Sequence, residues 1–303
     1  MNATVYNYIK KVVPEENVLL EEPLSKHTTF RVGGNATCLI RIQEPSQLSK
    51  LIPYLTEVEQ PFFIMGNGSN LLVGDKGYRG IVFEIADAMN QITVEGTRIT
   101  VQAGALMSQI ARQAYEHELT GLEFASGIPG TIGGGVVMNA GAYDGELKQV
   151  VEAVTVLNEN GELMELDNET MEFGYRTSII KNRKFIVLSV TLNLQKGEKA
   201  AIKQKMEEFA QKRREKQPLE FASAGSTFKR PEGNFAGKLI MEAGMRGFMI
   251  GGARVSEKHC GFVINTGNAT AEDIREVIRS VQEKVKERFN VDLETEVIFL
   301  GDF

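Results

Sequence analysis

Cysteine occurs only twice in this 303-residue chain, at Cys38 and Cys260, histidine three times, at His27, His117 and His259, and tryptophan not at all. Two cysteines build no disulfide framework, so a reducing compartment, the cytoplasm, is expected. The thiol and imidazole groups are scattered along the chain, which argues against zinc, and no metal is expected. No uncharged apolar run approaches the ~18–20 residues of a membrane span, so no membrane partner is expected. Residues 1–14 lack a basic patch followed by an apolar stretch, so no secretory leader is expected either. Positive charge is not in excess: 34 Lys+Arg stand against 40 Asp+Glu, a net charge of −6. Duplex binding draws on clustered Lys and Arg, so no nucleic-acid partner is expected, although a local basic patch could hold a small phosphorylated ligand.

Glycine is what the chain has in quantity. It supplies 30 of 303 residues, about one in ten against an average of about 7%. The excess is uneven, with concentrations at 66–68 and 127–145. The hydrophobic fraction of 42% and charged fraction of 24% fit a folded chain. Its length suggests two or three domains of about 100–200 residues each. No tandem repeat, low-complexity tract or flexible linker is visible.

Apolar spacing predicts a helix over 2–12 and a second opened by Pro45 and Ser46, which Pro53 should kink or shorten. The run 62–65, bounded by Pro61 and Gly66, reads as a buried strand. Strands follow at 81–85 and 91–103, the latter turning back at Glu95 and Gly96, and then a helix over 105–117. Strands resume at 150–157, 163–166 and 185–194. Residues 197–217 are charged with a helical pattern. The clearest helix covers 270–289, where Ile274, Val277, Ile278, Val281 and Val285 form one stripe and Thr270 with Asp273 makes a box-like start. A short strand at 297–300 closes the chain. Strands and helices mix without regular alternation, so an α+β fold is expected, with boundaries near 80 and 196.

Two segments could carry chemistry. Gly66-Asn67-Gly68-Ser69-Asn70 follows the strand at 62–65, and glycines there would let successive N–H groups approach an anion. No Lys follows as in a Walker loop, and the third glycine of a dinucleotide fingerprint is missing. A plain tight turn remains an equal reading. The second segment, Ser126-Gly127-Ile128-Pro129-Gly130-Thr131-Ile132-Gly133-Gly134-Gly135 with Asn139-Ala140-Gly141-Ala142-Tyr143, has too little side chain to pack a core of its own. A large, flat ligand with a pyrophosphate would fit against it; a buried crossover is the alternative.

These segments, with Thr28-Thr29-Phe30-Arg31-Val32-Gly33-Gly34, Gly174-Tyr175-Arg176-Thr177-Ser178, Ala224-Gly225-Ser226-Thr227-Phe228-Lys229, Ile250-Gly251-Gly252-Ala253, Ser256-Glu257-Lys258-His259 and Leu293-Glu294-Thr295-Glu296-Val297, resemble the UDP-N-acetylenolpyruvoylglucosamine reductase (MurB) family. They occur in family order over residues 24–300. The resemblance implies an α+β fold with a two-part FAD-binding domain of the vanillyl-alcohol-oxidase (PCMH) type and a C-terminal α+β substrate-binding domain. The parts would be 1–80, which 294–303 would rejoin if the last strand returns to it, then 81–196, then 197–293. It implies a peptidoglycan-precursor enzyme that takes a hydride from NADPH through noncovalent FAD to the enolpyruvyl ether of a UDP-sugar. A monomer is the default.

By the same resemblance Arg176, Ser226 and Glu296 are the catalytic candidates. An arginine fork suits a carboxylate turning into an enolate, and a shielded serine could deliver the proton. Glu296 beside the substrate carboxylate should have a raised pKa or share a proton. Cofactor candidates are Arg31, Gly66, Asn67, Gly68, Ser69, Asn70, Leu71, Gly127, Ile128, Pro129, Gly130, Thr131, Gly133, Gly134, Asn139, Gly141 and Ala142. Substrate candidates are Lys216, Lys229, Arg230 and His259. Cys38 and Cys260 read as packing residues. The chain departs from the family pattern at Thr177, Arg230, Thr295 and Ile298. The short stretch 195–200 lacks the tyrosine-bearing insertion of one subgroup, so the chain resembles the shorter, second type. A sugar or hydroxy-acid oxidase on the same fold is the alternative; many tether FAD through a histidine, and 66–70 contains none. A flavin-storage module is a third reading, which leaves Arg176, Ser226 and Glu296 unexplained.

Overall fold

The computed structural model describes residues 1–303. The chain forms two compact units, each threaded from three segments. The first comprises Met1–Leu20, Cys38–Asn67 and Gly80–Arg213; the second comprises Glu21–Thr37, Gly68–Arg79 and Arg214–Phe303.

In the first unit the helix Ala3–Val12 is capped by Asn2, whose side chain accepts the Val5 N–H at 2.9 Å. The helix Pro45–Glu57 runs unbroken through Pro53, so the expected shortening does not occur. An interior proline costs about 3 kcal/mol. Here Leu48, Leu51, Ile52 and Leu55 are all buried, and full burial of each contributes about 1.5–3 kcal/mol, enough to offset that cost. Strand Phe62–Met65 pairs parallel with strand Tyr78–Glu84, in register from Phe62↔Ile81 to Met65↔Glu84. It therefore delivers the turn at 66 from the end of a paired strand.

A five-stranded antiparallel sheet forms the rest of this unit's frame. Its order is Leu163–Asp167, Val151–Leu157, Ile186–Asn193, Arg98–Gln102, Ile92–Glu95. Val154, Val156, Val190, Leu192, Ile99 and Val101 are fully buried in the core. The hairpin between the last two strands turns at Gly96, whose φ of +64° glycine adopts without strain. Helix Met107–Glu116 turns Met107, Ile110, Ala111 and Ala114 inward.

The second unit is organised by the helix Ala271–Phe289, which buries the stripe Ile274, Val277, Ile278, Val281 and Val285. Thr270 and Asp273 exchange side-chain-to-backbone hydrogen bonds, both at 3.0 Å, as their spacing predicts. Asp75 adds a second cap from far earlier in the chain: its carboxylate accepts the N–H groups of Ala271 and Glu272 at 2.8 and 2.9 Å. Three antiparallel strands, Met249–Ile250, Ala253–Val255 and Val263–Asn265, contribute to this unit. The final strand, Ile298–Leu300, lies parallel to Leu71–Val73.

Candidate active site

In the first unit Gly66 and Asn67, which open one glycine-rich segment, meet the other. Gly66 lies so close to Thr131 that a Cβ would fall 2.2 Å from the threonine Oγ1. Asn67 Nδ2 donates to the Pro129 carbonyl at 2.6 Å. The second segment contains a short helix, Ile132–Val137, which sequence patterning does not reveal because its glycines carry no periodic apolar signal. Those glycines permit close packing. A Cβ at Gly133 would sit 3.0 Å from both the Ala103 carbonyl and its Cβ, and one at Gly135 would sit 3.1 Å from Leu147 Cδ1. Gly133 gives its N–H to the Ala103 carbonyl at 2.9 Å, so that donor is committed to the chain itself. Gly134 is exposed, and the only neighbour of a Cβ there is Thr131 Oγ1 at 3.7 Å.

The turn bearing Arg176 is bound to this segment at several points. Gly174 and Thr177 exchange backbone hydrogen bonds of 3.1 and 3.4 Å. Ser178 Oγ donates to the Val137 carbonyl at 3.0 Å, and Asn139 Nδ2 donates to the Gly174 carbonyl at 3.1 Å. Asn139 also accepts the Lys148 N–H at 2.9 Å and is 1% exposed, so its amide serves as an internal brace. Arg176 Nη2 reaches the Gly141 carbonyl at 3.3 Å. Arg176 itself has a φ of +55°, a conformation that costs a non-glycine residue about 1–3 kcal/mol and persists only where the surroundings over-determine it.

In the second unit the structure brings Ser226 and Glu296 onto adjacent extended segments. The Glu296 N–H donates to the Thr227 carbonyl at 2.8 Å, Phe228 and Thr295 form an antiparallel bridge, and the Lys229 N–H donates to the Glu294 carbonyl at 2.9 Å. Thr227 has no exposed surface; its Oγ1 accepts the Val263 N–H at 2.9 Å and its own N–H goes to Gly261 at 2.8 Å. Ser226 is half-buried just before this anchor, preceded by Gly225 at φ +75°.

The substrate candidates lie around the same anchor. Lys229 Nζ pairs with Glu294 at 2.9 Å. Exposed Arg230 stacks its Cζ 4.4 Å from the Phe235 ring centroid. His259 Nδ1 accepts the Gly261 N–H at 3.1 Å, which places its proton on Nε2. Burial holds its pKa below the ordinary histidine value, and the Lys216 ammonium pushes the same way. Arg31 is exposed with a φ of +57°, and Leu71 is buried in the strand paired with the C-terminal one.

Some neighbours escape sequence reasoning. Arg213 extends against Gly127, where a Cβ would fall 2.5 Å from its Nη1, and burial lowers its pKa. Tyr143 stacks on Phe209 with ring centroids 4.6 Å apart. The signal for Tyr143 was its place directly after Gly141 and Ala142. Arg213 gave none, because it sits among the charges of the helix Lys199–Lys216 and looks solvated. Cys38 is buried, its thiol pKa pushed up to about 12, which leaves it an inert packing group.

Two family models match the chain: an FAD binding domain over residues 36–167 and the C-terminal domain of UDP-N-acetylenolpyruvoylglucosamine reductase over residues 217–300. A UDP-N-acetylenolpyruvoylglucosamine reductase from Caldanaerobacter subterraneus subsp. tengcongensis is 52% identical over 294 residues, covering 97% of each chain. The solved UDP-N-acetylenolpyruvylglucosamine reductase (MurB) from Thermus caldophilus is 35% identical at a TM-score of 0.80, covering 93% of this chain and 98% of that one. Phl p 4.0202, a glucose dehydrogenase, reaches a TM-score of 0.50 at 14% identity over 65% of this chain and 44% of its own, a likeness of fold alone. The fold is thus α+β, an FAD-binding domain of the vanillyl-alcohol-oxidase type joined to a C-terminal α+β domain.

Proposed function

The chain belongs to the UDP-N-acetylenolpyruvoylglucosamine reductase family, and we propose that it reduces UDP-N-acetylglucosamine enolpyruvate to UDP-N-acetylmuramate, an early step towards peptidoglycan. FAD is its cofactor and NADPH its electron donor. What supports FAD, beyond the family, is the chemistry of the two glycine-rich segments. Residues 66–71 and 126–135 contain no charged side chain, so nothing there repels a pyrophosphate. No backbone carbonyl takes the N–H of Asn67, Gly68 or Ser69, which leaves those donors available to an anion. Residues 66–71, 127–131, Gly133, Gly134, Gly141, Ala142 and Arg31 are assigned to hold it, with Asn139 as a brace. The turn 66–70 holds no histidine, which favours noncovalent attachment. We propose 1–80, rejoined by 294–303, and 81–196 as the FAD-binding parts and 197–293 as the substrate-binding part, a division by role that differs from the compact units, in which 21–37, 68–79 and 294–303 pack with 214–293. We propose that the enzyme works in the cytoplasm as a monomer. No helix is long and apolar enough to cross a membrane.

Bound FAD would supply the hydride relay from NADPH to the enolpyruvyl ether. What falls to the chain's own residues is a carboxylate to hold and a proton to place. Arg176 offers two parallel donors to that carboxylate and stabilises the charge that builds on it. Ser226 Oγ holds the proton that goes to the α-carbon. Glu296, protonated or sharing a proton, hydrogen-bonds the carboxyl group rather than repelling it. Lys216, Lys229, Arg230 and His259 are assigned to the UDP moiety.

The observation that supports this reading is the backbone pairing of Thr227 with Glu296, which runs the segment bearing Ser226 alongside the segment bearing Glu296. The test is NADPH oxidation by the flavin-loaded protein with and without the enolpyruvyl UDP-sugar. Oxidation that depends on that substrate supports the reductase; oxygen consumption with sugars or hydroxy acids instead would mean an oxidase.

A further inference from the structure

A single exposed phenylalanine needs no explanation. Phe235 is a different case. It is 58% exposed, the largest value among the big apolar residues of the second unit. Its backbone is nonetheless fixed, because its carbonyl accepts the N–H groups of Lys238 and Leu239 at 3.0 and 3.1 Å and so caps the helix Ala236–Glu242. The ring is held as well, by the Arg230 guanidinium 4.4 Å from its centroid. The chain therefore maintains a flat, partly open aromatic surface at a position that contributes nothing to the core.

The surroundings indicate what that surface meets. Gly237, two residues on, packs against the half-buried His259: a Cβ there would sit 3.4 Å from His259 Cε1 and 3.2 Å from the Gly261 nitrogen. Gly261 takes the Thr227 N–H, next to Ser226. The Lys216 charge is felt at His259. Phe235 thus touches one cation, Arg230, and opens the helix whose Gly237 packs against His259 and Gly261, the latter bonded to the residue after Ser226.

From this placement we propose that Phe235, with Arg230 stacked on it, is the seat of the pyrimidine base of a nucleoside diphosphate, an affinity-determining contact that takes no part in the chemistry. The proposal rests on the reading of the protein as a UDP-sugar enzyme. Every base presents a π-face, and stacking on an aromatic ring contributes without any edge-specific hydrogen bond. A guanidinium over the same ring adds cation–π attraction and carries a planar charge of the kind that binds phosphate. Lys cannot replace Arg230 here, because it lacks the planar group that stacks.

The test uses the FAD-loaded enzyme and UDP as the probe, by calorimetry, with Phe235→Ala, Phe235→Leu and Phe235→Tyr compared beside KM for the enolpyruvyl substrate. Loss of the ring in the Ala and Leu variants should weaken UDP about tenfold, with the loss appearing in KM rather than kcat. Phe235→Tyr keeps the ring and should bind within about twofold of the unsubstituted enzyme. Phe235→Leu preserves apolar bulk, so it separates stacking from a folding defect. Unchanged UDP affinity and KM in the Ala and Leu variants of an enzyme that turns over normally would overturn the stacking role and leave the function standing. An unsubstituted enzyme that neither binds UDP nor turns over the UDP-sugar would overturn both.

Discussion

Asn70 grips the backbone on both sides of Val297, directly after Glu296. Its Nδ2 donates to the Glu296 carbonyl at 2.9 Å, and its own carbonyl accepts the Ile298 N–H at 2.9 Å. A residue at the end of the glycine-rich turn therefore sets the position of a candidate catalytic carboxylate. Asn70→Ala should lower stability by about 1 kcal/mol and reduce kcat. Asn70→Asp should do more harm, because it turns a carboxylate towards the Glu296 carbonyl. Urea unfolding and steady-state kinetics on the pair give the order; Asp no worse than Ala would show that the side-chain bond is unimportant.

Ser226→Ala removes the assigned proton donor without disturbing Thr227, on which the local pairing depends. Turnover of the enolpyruvyl substrate should fall about 10²–10⁴-fold, while NADPH still bleaches the flavin colour. Stopped-flow absorbance separates the two half-reactions. Loss of both together would mean that the variant damages the site rather than the proton transfer.

Glu296→Gln keeps the shape of the side chain and abolishes its ionisation. If Glu296 shares a proton with the substrate carboxylate, one limb of the kcat pH profile should disappear in the variant. A profile with the same limbs in both enzymes would assign that titration elsewhere.

His259 gives a pH dependence whose sign follows from its burial. Its folded pKa lies below the ordinary histidine value, about 6.5 in an unfolded chain. Between the two values the unfolded chain binds more protons, so stability rises with pH there. The contribution is present above about pH 6.5 and is lost as pH falls through the folded value. The urea midpoint should therefore drop on acidification, and by less in His259→Gln. Identical drops in both proteins would point to other groups.

Gly66→Ala places a Cβ 2.2 Å from Thr131 Oγ1, which is itself buried. Overpacking of this kind costs about 1–3 kcal/mol. Adding Thr131→Gly removes the obstruction, so the double variant should lose less than the sum of the two single changes. Additive losses in a double-mutant cycle would show that Gly66 is needed for its backbone conformation alone.

Elements with a strong periodic signal were legible in the sequence. The helix Ala271–Phe289 and its Thr270 cap follow from spacing, and the antiparallel strands around Val154 and Val190 follow from alternation with turns between. The helix Ile132–Val137 was not legible, because glycine carries no face. Nor was the continuity of Pro45–Glu57, since the proline rule is local while the burial that overrides it is tertiary. The candidate site was legible only through ordered motifs. Nothing in the spacing of Ser226 and Glu296 foretells that Thr227 will pair with Glu296, and nothing around Arg213 foretells its contact with Gly127. Those relationships depend on chain crossings that a single sequence does not display.

The threading of the second unit fixes when it can be finished during synthesis. Leu71–Val73 must wait for Ile298–Leu300, and Asp75 must wait for the helix Ala271–Phe289. Residues 21–37 and 68–79 leave the ribosome long before their partners exist, at a rate of about 5–20 residues per second. A nascent chain stopped short of residue 298 therefore carries an unpaired strand edge at 71–73 and the Asp75 carboxylate with no helix end to cap, a state suited to chaperone capture.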